Sequence, residues 1–359
     1  MRKFKVSQIW MLAFFLAAVN SGCGDPDRAA PGPGSPLSPP GVVSASVLPP
    51  NGSSGICPNT VVTAVFNKAM NPATINTTTF TLASSGGSVT GTVTYDPSSD
   101  TATFTPVAPG LAVSTTYTAT ITTGAKDQFG NGLAADFTWS FMTAAAVCAG
   151  PPPVPLLTAG NFKVLAGSTV TSTTTPPGTT ITGGDLGLSP GTSVTGFPPG
   201  TVTAPGVMHV ADPTAAQAQR DLTAAYNYAA GIVLPAPQVL AGDLSNTTLT
   251  EGTYKNSSST GIASGTLFLS GNSSSVFVFQ IGSTLTTGSG TQVVLTGGVL
   301  PSNVFWQVGS SATLGTTSVF VGTIMAQASI TLNTGATLQG RALARTGQVT
   351  MDDNTIFDP

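Results

Sequence analysis

Hydrophobic and polar residues alternate in short bursts along most of this chain. "TVVTAVFNKAM" (60–70), "TATFTPV" (101–107), "TYTATITTGA" (116–125) and "FTWSFMT" (137–143) each have the two-residue rhythm of a half-buried strand. Turn signals such as "PSSD" and "DQFGNG" separate them. Several such strands within about 100 residues predict a β-sandwich. Past residue 154 the alternation continues and begins to repeat itself. "TLGTTSVFVGTIMA" (Thr313 to Ala326) lies over "TLNTGATLQGRALA" (Thr331 to Ala344) at an offset of 18. "FQIGSTLTTGSGTQVVLTG" from Phe279 matches "WQVGSSATLGTTSVFVGTI" from Trp306 at an offset of 27. Self-similarity at such periods predicts a solenoid, with one β-helix coil per repeat and coils of unequal length.

The rhythm also assigns directions, because successive side chains of a strand point to opposite faces. Leu314, Phe320, Met325, Ile330, Leu332, Leu338 and Leu343 are expected in the core. Thr313, Thr316, Thr331, Asn333, Thr334 and Thr337 are expected outside. One segment, "ADPTAAQAQRDLTAAYNYAAG", has helical spacing instead. Asp212 is placed as its N-cap, Pro213 as its first helical residue and Gly231 as its stop. Ala215, Ala218, Leu222, Ala225, Tyr226 and Ala229 make an apolar stripe suited to lying along a β body. Tyr226 and Tyr228 are read as packing residues.

Composition narrows the function. Only 7% of residues are charged and the net charge is −3, so there is no electrostatic footprint for nucleic acid. His209 is the only histidine, which excludes a His-based triad or a multi-His metal site, and it is read as structural. Asp352, Asp353 and Asn354 are read as a turn closing the last coil. Asp127 and Asn131 are read as a plain turn, since too few carboxylates converge for calcium. Arg341 and Arg345 are expected to pair locally or face solvent away from any broad binding face. No phosphate loop is present; no catalytic residue, metal or cofactor is expected.

The chain opens on a basic "MRKFK", a short apolar "IWMLAFFLAAV" and "NSGC". This resembles a bacterial lipoprotein signal in which Cys23 becomes the lipidated residue, with Asn20 departing from the usual Leu; ordinary cleavage nearby is the alternative. Residues 24–41 are Pro-rich and read as an extended tether. Export would place Cys57 and Cys148, at the two ends of the first strand-rich module, in an oxidising compartment. They are expected to form a disulfide, the alternative being two free buried thiols.

The phrases "VVSASVLPPNG", "FNKAMNPATINTTTFTL", "KDQFGNGLA" and "WSFMT" resemble bacterial Ig-like domains of surface proteins. "NFKVLAGSTVT", "ITGGDLGLSPGTSVTGFPPGTV", "FVFQIGSTLTTGSG", "NVFWQVGSSATLGT" and "GTIMAQASITLNTGATLQGRALARTGQVTMDDNTI" resemble the microbial ice-binding protein family. The expected organisation is a signal over 1–23, a tether over 24–41, an Ig-like β-sandwich over 42–146, a linker over 147–155 and a solenoid over 156–359. The expected fold is all-β dominated: an irregular right-handed β-helix with one long α-helix alongside, preceded by the sandwich.

The resemblance implies a non-enzymatic protein whose flat solenoid face binds ice. It also implies a Thr-Ala/Gly-X-Thr/Asn motif on that face. "TGAT" at Thr334, Gly335, Ala336 and Thr337 fits it; "TTSV" from Thr316 and "TGSG" from Thr287 fit in part; "TSVT" from Thr192 adds a rung. The expected ice-contacting set is Thr192, Thr195, Thr287, Ser289, Thr313, Thr316, Ser318, Thr331, Asn333, Thr334, Ala336 and Thr337. The expected partner is an ice surface, met by a monomer that is secreted or held at the cell surface by its lipid. A cell-surface adhesin for a polymer or another protein is the alternative.

Overall fold

In the first module, Phe80, Phe104, Trp139 and Phe141 are all buried, and two sheets close over them. This computed structural model describes residues 38–359 except 98, 108–109, 147–149, 174–175 and 234. One sheet has the spatial order Ser53–Ile56, Phe137–Thr143, Thr116–Ile121, Phe80–Ser84 and Gly87–Ser88; the other joins Val62–Val65, Thr101–Pro106 and Gly91–Asp96. Inward residues alternate with outward Thr and Ser, as in Thr116–Ile121, where Tyr117, Ala119 and Ile121 are buried. Cys57 is disulfide-bonded. Cys148 and Cys23 lie outside the described residues.

The second module is a stack of parallel coils. The repeats seen in the sequence are coil-to-coil pairings: Phe279 lies beside Trp306, and Thr313 beside Thr331. Leu314, Ile330, Leu332 and Leu338 fill the interior. Tyr254, Phe279, Trp306 and Phe320 stack down the axis with ring centroids 5.5, 3.8 and 4.9 Å apart. Each such side chain removed from water contributes about 1.5–3 kcal/mol. The indole N–H of Trp306 donates to the Val321 carbonyl at 3.0 Å, so its one polar atom is satisfied.

The coils are not stacked in chain order. Thr169–Ser172, from the start of the module, lies between Ser193–Thr195 and Val349–Met351, near the end of the chain. The chain builds two coils outward, then α1 (Pro213–Gly231) intervenes before the remaining coils, whose last one docks on the first. Asp358 clasps this closure through an ion pair with buried Lys163 at 2.6 Å.

The long strands Val319–Ala326 and Thr337–Ala344 turn a corner at the paired glycines Gly322 and Gly340 (φ 108° and 158°). A Cβ on Gly340 would sit 1.9 Å from the Gly322 carbonyl oxygen, so no other residue fits there. The corner divides the larger of the two solenoid sheets, which contains both strands, into a bare side and a side carrying α1. Met325 and Leu343, expected in the interior, are buried under α1 instead. Helix α1 begins as expected, with the Asp212 side chain accepting from the Ala215 N–H and Pro213 at the first position.

Candidate functional site

A seven-stranded parallel sheet forms one bare side of the solenoid. Its order is Ser193–Thr195, Thr169–Ser172, Val349–Met351, Ile330–Leu332, Ala312–Leu314, Leu285–Thr287 and Thr260–Ile262. The strands are three or four residues long, and the flanking apolar residues of each central strand turn inward. The outward residue is the middle one in the five three-residue strands from Val349–Met351 to Thr260–Ile262, and Thr171 and Thr195 in the two outer strands. These residues fall in strict register: Thr195, Thr171, Thr350, Thr331, Thr313 and Thr286, followed by Gly261 and, through an isolated bridge, the exposed Asp243. Adjacent threonines are therefore one strand spacing apart, about 4.8 Å.

A second row runs beside the first. Ser259, Thr284, Ser311, Ser329 and Gln348 precede the strands on successive coils. The Thr284 and Ser259 hydroxyls lie 2.8 Å apart. The Ser311 and Ser329 hydroxyls accept from the backbone N–H of the next coil, at Ser329 and Gln348, both at 3.3 Å. These bonds hold the row in place. None of the seven strands contains an ionisable side chain. Helix α1 packs on the other sheet, against Phe162–Ala166, Asp185–Leu188, Phe277–Ile281 and Val304–Val308.

Most ladder residues are partly exposed because each is shielded by the rungs above and below; Thr195 and Thr286 at the two ends are more open. The Thr350 hydroxyl is fully covered and has no hydrogen-bond partner. That rung shows its methyl rather than its oxygen. Thr fixes its own orientation through β-branching, so the ladder is stiff as well as regular.

The sequence-derived candidates divide in three. Thr195, Thr313 and Thr331 are on the ladder. Asn333 follows Leu332 on the same side as Thr331, and Thr192 is exposed at the sheet's outer end. Thr316, Ser289 and Thr334 are exposed but lie in the turns that leave the sheet. The Thr334 hydroxyl is taken up by the Asp352 carboxylate. Thr337 is on the adjoining side, paired with Val319 and Thr355.

Three candidates are corrected. Thr287, Ser318 and Ala336 are buried, and Thr287 accepts the Gly315 N–H at 2.8 Å. Thr287 points inward because it is one residue out of step with the outward Thr286 on its strand, whereas Ser318 and Ala336 lie in the bends just before Val319–Ala326 and Thr337–Ala344 and turn into the core there. The ladder residues missed were Thr171, Thr286 and Thr350. Thr286 is the neighbour of the residue chosen, and alternation from Leu285 would have found it.

The remaining polar groups are structural. Asp353 accepts the Gly178 N–H at 2.8 Å, and the Asn354 amide donates to the carbonyls of Asn333 and Ala336 at 2.9 and 3.0 Å. His209 lies 2.7 Å from the Asp212 carboxylate, against the Phe162 ring. Arg341 donates to the Gly160 carbonyl at 2.9 Å, and Arg345 lies over Tyr226.

Asp127 is fully buried with the Lys68 ammonium 2.7 Å away. Burial alone would raise its pKa. Lys68 and hydrogen bonds from Asn131 and Phe129 overcome this and hold the carboxyl far below the usual range. The ammonium takes the cation's place in that turn. Among the described residues no group of three or more His, Cys, Asp or Glu side chains could hold a metal ion.

Comparison with known proteins agrees with this architecture. A bacterial Ig-like domain model matches residues 38–143, and an ice-binding-like model matches 164–357. An ice-binding protein of Nostoc sp. (strain HG1) is 50% identical over 203 residues, which is 55% of this chain and 72% of the relative. Ice-binding protein 1 of Shewanella frigidimarina is 33% identical over 63% of this chain, which spans only 28% of that relative. The crystal structure of an ice-binding protein from an Antarctic biological consortium superimposes with a TM-score of 0.56 at 50% identity, covering 59% of this chain and 94% of that one. That from the ascomycete Antarctomyces psychrotrophicus does so with a TM-score of 0.52 at 39% identity, covering 57% and 98%. With more than half of its length matched by the family model, a coiled stack of this topology and a helix alongside, the chain belongs to the ice-binding-like family.

Proposed function

We propose that this chain binds ice through the outer side of the seven-stranded sheet. The observation that carries the reading is the threonine ladder: six in-register rungs on an uncovered side whose seven strands carry no charged residue. Ice offers a binder no charge and little relief, but it offers repetition. Methyl groups favour leaving water for a matching surface. Hydroxyls join the ordered water layer that continues into the lattice. Lys or Glu would hold mobile hydration shells, and the sheet has neither. Because the rungs are already fixed, little conformational freedom is lost on contact, and many weak contacts act together.

Adsorbed molecules pin the ice front. Ice must then bulge between pinned points, and the curvature opposes growth and recrystallisation. The protein acts outside the cell, as a monomer, released or held by a lipid on Cys23. Its N-terminal pattern and its relation to surface Ig-like domains support that placement. The test is ice recrystallisation inhibition by the full chain beside a Thr313→Tyr, Thr331→Tyr variant whose fold is checked by circular dichroism. Inhibition by the wild type and its loss in the folded variant are expected. A folded wild type that leaves ice growth unchanged would overturn the reading and leave the adhesin.

A further inference from the structure

Helix α1 is buried on two sides. The stripe through Ala218, Leu222, Ala225 and Ala229 is the one its sequence advertises. A second stripe, Gln217, Asp221, Ala224 and Tyr228, follows at spacings of four, three and four and lies on an adjoining flank. The Ig-like module lies on that flank. Asp221 is 1% exposed. Its carboxylate accepts from the Ser46 hydroxyl of the Ig-like module at 2.7 Å and from the Gln217 amide at 2.8 Å. It also accepts from the backbone N–H of Thr158 at 3.2 Å and from that residue's hydroxyl. The Tyr228 and Thr60 hydroxyls share a hydrogen bond of 2.6 Å.

Polar contacts continue along the joint. The Asn227 amide donates to the Ser99 hydroxyl at 2.7 Å and to the Asp96 carboxylate at 3.2 Å. The same Asp96 carboxylate lies 3.8 Å from Arg345 on the solenoid. Apolar packing is continuous too. Leu48, Val61 and Val65 of the Ig-like module share one cluster with Leu222 and Tyr228 of α1 and with Val278, Phe305, Met325 and Leu343 of the solenoid.

Modules joined by a linker move relative to one another by default, unless the interface is large and apolar. Here the helix is a core element of both. A carboxylate buried without a cation is tolerable only while its donors stay in place, and its four donors come from three segments, one from Ser46, one from Gln217 and two from Thr158. We infer that the Ig-like module is a fixed docking partner of α1, so that module and solenoid fold and move as one body. The module is then no flexible spacer. It sets the heading of the threonine sheet relative to the N-terminal tether. This inference does not depend on what the sheet binds.

The test is hydrogen exchange of the full chain across a guanidinium series, read by mass spectrometry. Peptides covering 101–106 and 137–143 report the Ig-like module, and peptides covering 304–308 and 319–326 report the solenoid. One shared midpoint is expected. Ala224→Arg, one turn from both Asp221 and Tyr228, should split it, with the Ig-like peptides losing protection at lower denaturant. Separate midpoints in the wild type would overturn the inference. So would an Ala224→Arg chain whose two sets of peptides still share the wild-type midpoint.

Discussion

The same coils build two bare sides of the solenoid, and the sides carry different chemistry. On the seven-stranded sheet the outward residue is threonine on six successive rungs. On the adjoining side the matching row reads Thr266, Gln292, Val319, Thr337, Thr355, Thr180 and Thr201. The row next to it holds Phe268, Val294, Gln339 and Phe357, with Val321 between them buried. Both sides inherit even rung spacing from the parallel stack. Both repeat threonine, on six successive rungs of the first and on four of the second, Thr337 to Thr201, but the second breaks the row with Gln292 and Val319 and sets Phe268, Val294 and Phe357 beside it. Spacing comes from the backbone at no cost in sequence, whereas uniform chemistry must be specified coil by coil.

Substitutions can separate what the two sides share from what they do not. The largest effect should come from their common core and should not discriminate. Leu332→Ala under the threonine sheet and Leu338→Ala under the other side should each cost about 2–5 kcal/mol in denaturant unfolding. A smaller effect should discriminate. Tyr at Thr313 and Thr331 lifts neighbouring rungs off a flat surface and should weaken ice adsorption by about tenfold or more, or at least about 1.4 kcal/mol. Tyr at Val319 and Thr337 should leave adsorption close to wild type.

Milder still, Thr331→Val keeps the branch and removes the hydroxyl, while Thr331→Ser does the reverse. Each should reduce recrystallisation inhibition by less than about tenfold. If one of them has no effect, the group it removes is dispensable at that rung. Thr350 already shows only a methyl, so Thr350→Val should be the quieter of the valine pair.

The smallest effect expected on the sheet is that of pH. Its strands hold no ionisable group, so ice shaping should be constant from about pH 5 to 9. Stability should behave differently. The Asp127 carboxyl has a folded-state pKa far below its unfolded value near 4. Its contribution is therefore present above about pH 4 and is lost as pH falls toward the folded value. Melting temperature measured through this range should drop, and Lys68→Ala, which strands the buried carboxylate, should cost about 3–5 kcal/mol at neutral pH.

Much of this was legible in the sequence. The offsets of 27 and 18 gave the coil pairing, and alternation placed Thr313 and Thr331 outside with Leu314 and Leu332 inside. Asp212, Pro213 and Gly231 marked the helix. Three things were hidden for physical reasons. The four-residue motif pointed at Ser318, Ala336 and Thr334, which lie where the chain bends between sides and strand parity no longer holds, and at Thr287, one residue out of step with the ladder. Thr171 joins the ladder only because the last coil returns to the first, a contact with no signature in local repeats. The second stripe of α1 was masked because Gln217 and Asp221 read as solvent-facing until Ser46 and Thr158 are seen to meet them.

The most direct measurement is adsorption of fluorescently labelled protein to a single-crystal ice hemisphere. Three chains would be compared: wild type, Thr313→Tyr with Thr331→Tyr, and Val319→Tyr with Thr337→Tyr. The first and third should coat the same ice planes, while the second leaves the crystal dark. Equal coating by the second chain, or loss confined to the third, would contradict this and move the ice-binding side away from the threonine ladder.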